Sequence, residues 1–179
     1  MDKGFKNDSV LMIITTADFV GKYKVGGTNF AALQSYIYRY EVILLRELLG
    51  VELYELFKTA YIADNTLVAT PIYKAIYDAI AQDNDEGCEP KVIQNNGMKQ
   101  MLVGMVWFYF VRDLVVKMTN AGPVNDQSEV SEMANPTFMY QYYNEAVHDW
   151  KVIQWYIDEN STDYPTFNGI DKSIAHWSI

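Results

Sequence analysis

The strongest candidate for chemistry in this sequence is a Glu-x-x-His pair, Glu145 and His148. On a helix this spacing places the carboxylate and the imidazole on one face, as in the di-iron centres of carboxylate bundles. Such a centre needs a second Glu-x-x-His, whereas the only other histidine, His176, has Ser173 three residues before it. We therefore interpret Glu145 and His148 as a surface pair and predict no metal site.

Nucleophilic chemistry has equally little support. Cys88 is the single cysteine, which excludes an intramolecular disulfide, and it lies in an acidic stretch that includes Glu86 and Glu89. Neighbouring carboxylates raise the pKa of a thiol and disfavour the reactive thiolate. The sequence also contains no Gly-x-Ser-x-Gly elbow and no glycine-rich phosphate loop. We predict no catalytic residue and no cofactor.

Composition narrows the classes of partner. The chain has 179 residues and a formal net charge of -9, without a run of lysine or arginine, which argues against binding nucleic acid through its phosphates. The most apolar run extends from Met101 to Val111, about half of the roughly 20 residues that cross a bilayer. We interpret this run as a buried helix, and we predict neither a membrane span nor a signal peptide.

The element with the clearest pattern begins at Thr28 or Asn29. Its apolar residues recur at three- and four-residue steps, which predicts an amphipathic helix of roughly 22 residues. Gly50 is placed to end this helix, and the apolar pattern resumes at once toward Phe57, so we expect a bend and a second, shorter helix. The apolar face comprises Leu33, Tyr36, Ile37, Tyr40, Leu44, Leu45 and Leu48, and the polar face comprises Gln34, Arg39, Glu41, Arg46 and Glu47.

Three further helices follow in the sequence. We predict them over residues 64–81, 98–118 and 135–160, with polar connections in between that we interpret as loops. Gly104 within the apolar third helix predicts a close helix contact. The fold class expected is all-α: one domain over residues 1–179, a bundle of about four main helices with a bent first helix. Its arms comprise residues 1–27 and 161–179.

Aromatic residues are abundant: 14 Tyr, 8 Phe and 4 Trp. Six tyrosines of the first and last helices cannot all point to one axis, so we predict that some belong to an interface with another chain. These are Tyr36, Tyr38, Tyr40, Tyr140, Tyr142 and Tyr143. The C-terminal arm also carries spaced apolar residues, and it either packs on its own bundle or docks onto another chain.

Three segments together resemble the head-to-tail connector (adaptor) proteins of tailed bacteriophages. They are the bent helix YIYRYEVILLRELLGVELYELF, the buried GMVWFYFVRDLVVKMTNAGPV with its long polar loop, and the tyrosine-rich YQYYNEAVHDW. The match covers most of residues 10 to 160, and its aromatic- and asparagine-rich style is similar to that of phages of gut Bacteroidales.

The resemblance implies a virion structural protein without enzymatic activity, located in the neck and assembled in the cytoplasm of the host bacterium. Its partners would be its own copies in a closed ring, commonly twelvefold, with the portal protein above and the next tail or neck protein below. DNA would pass through without specific binding. From exposure and position, we expect contacts to other chains at Asn120, Gly122, Pro123, Val124, Tyr164, Phe167 and Trp177.

Two alternatives stay open at this point. A head-closure or tail-completion protein of the same neck would share these features, since the sequence does not separate the layers of a neck. From a different class, a helical ligand-binding bundle or an enzyme of unknown substrate would use the same helix packing.

Overall fold

The computed structural model describes residues 11–26, 29–84, 91–119, 122–125 and 136–174. These residues form a helical bundle with two small antiparallel hairpins, which confirms the predicted fold class. The α-helices in the described ranges are α1 Phe30–Leu49, α2 Val51–Ala63, α3 Pro71–Tyr77, α4 Met98–Val115 and α5 Pro136–Glu159. The strands there are β1 Ala81–Asn84, β2 Lys91–Gln94, β3 Val116–Thr119 and β4 Gly122–Asn125.

The centre of the bundle is the contact between α4 and α5. Helix α4 is buried on nearly all sides, as its apolar sequence predicts, and Trp107 and Trp150 are among the largest fully buried side chains. Gly104 lets the two helices approach closely, because a Cβ atom there would lie 2.9 Å from the Cβ of Ala146. The predicted close helix contact at Gly104 is confirmed.

The bend between α1 and α2 also lies where the sequence places it. Gly50 has φ 78, a conformation that costs glycine little and other residues more, and Val51 begins α2 immediately. The Gly50 carbonyl accepts a hydrogen bond from the Tyr54 N–H, so the second helix starts without a linker. No helix in the described part of the chain is both long enough and apolar enough to cross a membrane.

The predicted helix over residues 64–81 was wrong in its length. Only Pro71–Tyr77 is helical, because Asp64 uses its carboxylate to hold a turn, accepting hydrogen bonds from the N–H groups of Thr66 and Ala69. Such side-chain bonds compete with the helical pattern of the backbone. After Tyr77 the backbone becomes extended and leads into β1.

The two connections predicted as loops contain the two hairpins. β1 pairs with β2, and β3, which follows α4 without a break, pairs with β4. The predicted end of the third helix at Met118 was therefore wrong, since Met118 lies in β3. The strands are only four residues long, so each shows too little alternation for a period of two to be recognised.

Both arms pack on the bundle within the described residues. We name residues 11–25 the N-terminal strap; its buried side chains are Leu11, Ile13, Ile14, Phe19, Tyr23 and Val25. We name residues 164–172 the C-terminal strap, which begins with the buried Tyr164 and lies across the end of α1. Of the two alternatives for the C-terminal arm, the described part follows the first and packs on its own chain.

Candidate functional site

Glu145 and His148 lie on α5, but they have different partners. The carboxylate of Glu145 forms an ion pair with Lys22 of the N-terminal strap, and His148 Nε2 lies 3.1 Å from the Gln94 carbonyl oxygen of β2. Across the described ranges no group of three or more His, Cys, Asp or Glu side chains could hold a metal ion. The two side chains thus connect α5 to neighbouring segments, and Cys88 lies outside the described residues.

A polar cleft of about 500 Å³ lies beside this pair, at the start of α4. It is lined in part by the buried Asp149, whose carboxylate accepts hydrogen bonds from the backbone N–H and the side-chain amide of Asn96. Burial raises the pKa of Asp149, and the bonds from Asn96 oppose that shift. A carboxylate at the N-terminus of a helix is also stabilised by the helix dipole. Asp149 therefore anchors the start of α4 to α5.

A second carboxylate is buried in α1, where the sequence reading placed it on the polar face. Glu41 is 1% exposed, and its Oε1 accepts the Ile13 N–H at 2.7 Å while Oε2 accepts the Ile14 N–H at 3.1 Å. The prediction that Glu41 lies on the polar face was wrong: a glutamate usually faces solvent, but the spacing of this position puts it on the core side. Position 41 follows Ile37 by four residues and precedes Leu44 by three, which is the core side of a helix.

The environment of Glu41 disfavours its charged form. Burial raises the pKa of this carboxyl to about 7, the two backbone N–H bonds lower it, and the nearby charge of Asp18 raises it. No lysine or arginine of the described segments forms an ion pair with Glu41. Glu41 is therefore a buried acid held by backbone donors alone.

The C-terminal strap lies against the last turn of α1. The Ile170 N–H donates to the Glu47 carbonyl at 2.6 Å, and the amide nitrogen of Gln154 donates to the Leu48 carbonyl and to the Ile170 carbonyl at 3.1 Å each. The last four carbonyls of an α-helix have no acceptor role within the helix. The strap and α5 together therefore satisfy the end of α1.

Two glycines allow this close packing. A Cβ atom at Gly169 would lie 2.1 Å from the Leu48 carbonyl oxygen, and one at Gly50 would lie 2.8 Å from the backbone of Asn168. Beyond the glycine, Lys172 Nζ lies 2.7 Å from a Glu47 carboxylate oxygen and 4.8 Å from the centre of the Trp150 ring. The strap thus ends on a half-buried ion pair.

Two of the predicted contact residues lie in this strap. Tyr164 is buried, and its hydroxyl donates to the Ile72 carbonyl at 2.6 Å, while Phe167 is half-buried and packs against the core. Burial raises the pKa of the Tyr164 phenol. Both rings are thus engaged within the chain, and their contact with another chain stays a prediction.

The other predicted contact residues lie around the second hairpin and at the chain end. Gly122, Pro123 and Val124 belong to β4, and their backbones pair with Thr119, Met118 and Lys117 of β3. Asn120 and Trp177 lie outside the described residues. Their contacts with other chains likewise stay predictions.

The tyrosines singled out in the sequence mostly pack along the bundle. Tyr40 stacks on Tyr109 with ring centres 4.6 Å apart, and Tyr143 lies 4.6 Å from Phe108 in the same measure. Of the six, five are half-buried against the core and one, Tyr38, is 54% exposed. An outward-facing tyrosine is therefore confirmed at position 38, whereas the other five tyrosines pack against the core of their own chain.

Tyr38 belongs to an exposed side of α1 that carries no carboxylate. Two large apolar side chains on this side, Tyr38 and Ile43, are 54% and 44% exposed. Its two charged residues are both arginines, although the whole chain has a net charge of -9, and Arg46 pairs with the Glu55 carboxylate of α2 at 3.1 Å. We name this side the outer face of α1; it comprises Ala31, Ala32, Ser35, Tyr38, Arg39, Ile43 and Arg46.

The end of α5 and the turn after it have the opposite character. Residues 152–170 contain no lysine or arginine, whereas Asp158, Glu159 and Asp163 are exposed carboxylates. We name these three residues the acidic end of α5. The molecule therefore presents a basic, partly apolar face on its first helix and an acidic surface at the end of its last.

Comparison with known proteins adds no relative. No family model, curated protein or solved structure matches this chain. The connector resemblance therefore rests on the sequence segments alone. The surfaces that bear on function are the outer face of α1 and the acidic end of α5.

Proposed function

We propose that this chain is a virion structural protein, a head-to-tail connector of tailed bacteriophages that forms a closed ring in the neck. The ring would bridge the portal protein and the next tail protein, and DNA would pass through it without specific binding. The observation that carries this proposal is the outer face of α1, where Tyr38, Ile43 and Arg39 are exposed with no carboxylate of α1 among them.

The composition of this face suits a protein interface. Tyrosine and arginine are enriched at the centres of interfaces, while glutamate and aspartate are depleted there. Apolar side chains exposed next to each other cost free energy in water, and covering them with a second chain removes that cost. We therefore assign the outer face of α1 to subunit contact.

Charge suggests what covers this face. The acidic end of α5, with Asp158, Glu159 and Asp163, is complementary to Arg39, whereas Arg46 already pairs with Glu55 of α2. Contact between two different patches on identical copies is head-to-tail, and it closes into a ring when the rotation per copy divides a full turn. Opposite charges at the two patches would also speed assembly and set its register.

The overall charge fits a DNA conduit. The net charge of -9 and the absence of a lysine- or arginine-rich run in the sequence disfavour adhesion of DNA through its phosphates as it passes. A head-closure or tail-completion protein of the same neck would use the same contacts, and it remains the nearest alternative. A helical ligand-binding bundle or enzyme is the alternative from another class, and it would require saturable binding of a small molecule.

Assembly can be measured with the purified chain, alone and mixed with a candidate portal protein. We expect native mass spectrometry and negative-stain imaging to show rings, twelvefold in the expected case. Carboxylates at two apolar positions of the outer face, Tyr38→Glu with Ile43→Glu, should abolish rings and leave a folded monomer. Val68→Glu is the matched control, because Val68 is 68% exposed but lies in the turn between α2 and α3.

Charge reversal tests the suggested pairing of surfaces. Arg39→Glu alone, and Asp158→Lys with Asp163→Lys alone, should each weaken assembly through like-charge contacts. All three changes in one chain should restore it, because the signs are again opposite. A strict monomer under every condition, including beside the portal, would remove the connector proposal, and loss of rings in Val68→Glu would remove the assignment to the outer face.

A further inference from the structure

The start of the N-terminal strap is attached to α1 by one side chain. Glu41 accepts the consecutive N–H groups of Ile13 and Ile14 with its two carboxylate oxygens, and it is 1% exposed beneath them. We propose that Glu41 is a pH-sensitive latch that holds residues 11–15 on α1 when it is protonated and releases them when it ionises. This inference is independent of the connector proposal, because it concerns a single chain.

The attachments of the strap limit the release to its first residues. Beyond Thr15 the strap has contacts that do not involve Glu41: Asp18 pairs with Lys99 at 2.8 Å, and the Tyr23 ring packs on Trp107. Upstream of Thr15, Leu11, Ile13 and Ile14 are buried, and opening them uncovers Glu41 itself. A local opening of residues 11–15 therefore gives the carboxylate access to water and leaves the rest of the strap in place.

The charged neighbours of Glu41 do not offset its ionisation. The charge of Asp18 on the strap disfavours a second negative charge at Glu41, while Lys99 on α4 is engaged by Asp18. On α2, Tyr54 and Tyr61 are neutral phenols whose pKa values are raised, chiefly by burial and in small part by Glu41. In the closed state an ionised Glu41 thus has only the two backbone N–H groups as partners, and in the open state it has water instead.

The sign of the pH effect follows from the two states. In the closed state the pKa of Glu41 is raised to about 7, and in the open state it returns to the ordinary value of 4.5. Closure is therefore favoured by protonation: this stabilisation is fully present below 4.5 and is lost as the pH rises through about 7. Linkage then gives an open-to-closed ratio about tenfold higher at pH 8 than at pH 6.

Two measurements on the full chain test the latch. Carbon-13 NMR of the glutamate carboxyls should show one group titrating near neutrality that disappears in Glu41→Gln. Hydrogen exchange of residues 11–15, corrected for the intrinsic pH dependence of exchange, should show protection that falls about tenfold from pH 6 to pH 8. In Glu41→Gln the corrected protection should be independent of pH, and Glu52→Gln, at an exposed site on α2, should behave like the wild type.

Either measurement can overturn the proposal. A Glu41 carboxyl that titrates near 4.5 in the wild-type chain would remove it, and this result does not depend on any variant folding. Protection of residues 11–15 that does not change with pH, or that changes equally in Glu41→Gln, would remove it as well.

Discussion

The two straps attach to the same helix, α1, by opposite chemistry. At the N-terminal strap the chain donates backbone N–H groups to the buried Glu41 carboxylate of α1. At the C-terminal strap the backbone carbonyls of α1 accept hydrogen bonds, from the Ile170 N–H and from the Gln154 amide. One attachment depends on a group that gains and loses a proton, and the other depends chiefly on neutral groups, with the Lys172–Glu47 ion pair at its end.

This difference determines how each strap responds to conditions. Burying a carboxylate without a cation costs free energy, so the N-terminal attachment is sensitive to pH. The C-terminal attachment fills the unsatisfied end of a helix, and its fit depends on the absence of a Cβ at Gly169. We therefore expect the C-terminal strap to fail through sterics and the N-terminal strap through ionisation of Glu41 as the pH rises.

The largest effect should come from adding a Cβ at the C-terminal strap. In Gly169→Ala that atom would lie 2.1 Å from the Leu48 carbonyl oxygen, so the strap must separate from α1. We expect the free energy of unfolding to fall by about 3 kcal/mol in denaturant titrations. Gly26→Ala is the control, since nothing lies within 4 Å of its Cβ position, and an equal loss in both variants would contradict steric packing at the strap.

The next effect should be the pH dependence that Glu41 gives to folding. Because the pKa of Glu41 is raised to about 7 in the folded chain, its contribution to stability decreases from acid to alkaline pH. The unfolding free energy of the wild type relative to Glu41→Gln should fall by about 2 kcal/mol between pH 5 and pH 8. Denaturant titrations at several pH values measure this difference.

The same series separates the two straps. Gly169→Ala should lower stability by a similar amount from pH 5 to pH 8, because the clash with the Leu48 carbonyl involves no titrating group. A difference between the wild type and Glu41→Gln that stays constant from pH 5 to pH 8 would mean that the N-terminal attachment is not governed by protonation.

A smaller effect should follow from removing the amide that joins α5 to the end of α1. In Gln154→Ala the Leu48 carbonyl loses its side-chain donor, whereas the Ile170 carbonyl keeps the indole N–H of Trp150. We expect a loss of about 1 kcal/mol of unfolding free energy, independent of pH. Gln141→Ala, at an exposed position of the same helix, should change stability little; an equal loss there would indicate a general effect of α5.

The smallest effect should come from the ion pair at the end of the C-terminal strap. Lys172→Met removes a bond to Glu47 and a contact with the Trp150 ring, and we expect a loss of about 0.5–1 kcal/mol. High salt should reduce the difference from wild type. Lys151→Met is the comparison, because Lys151 Nζ lies 3.9 Å from a carboxylate oxygen of the well-exposed Asp171. We expect no measurable loss of unfolding free energy in this variant.

Much of the bundle could be predicted from local patterns. The bend at Gly50 and the start of α5 at Pro136 follow from residues whose backbone preferences act without distant partners. The shortened α3 could not be found this way, because the periodic pattern over residues 64–81 is compatible with a helix. The Asp64 side chain accepts a backbone N–H there and stabilises a turn instead. Such a bond competes with the helical hydrogen bonds of the backbone, and composition does not show which of them forms.

The candidate sites divide in the same manner. Spacing on α1 contained the signal for a buried Glu41, since position 41 shares a face with Ile37 and Leu44, but a charged residue there contradicted the pattern. The sequence did not predict which hydrogen-bond donors stabilise the buried Glu41. These donors are the backbone N–H groups of Ile13 and Ile14, about 28 positions before it in the chain. Contacts of Asn120 and Trp177 lie outside the described residues and stay predictions.

By itself, the sequence determined that this chain is a helical bundle with a bent first helix and an apolar helix at its centre. Helical periodicity and glycine conformation are local properties, so they can be predicted from the sequence of neighbouring residues. Only the tertiary structure decided that both straps pack on α1, one through a carboxylate and one through carbonyls. Those partners are distant in sequence, and their choice depends on desolvation and close packing, which arise only when the chain is folded.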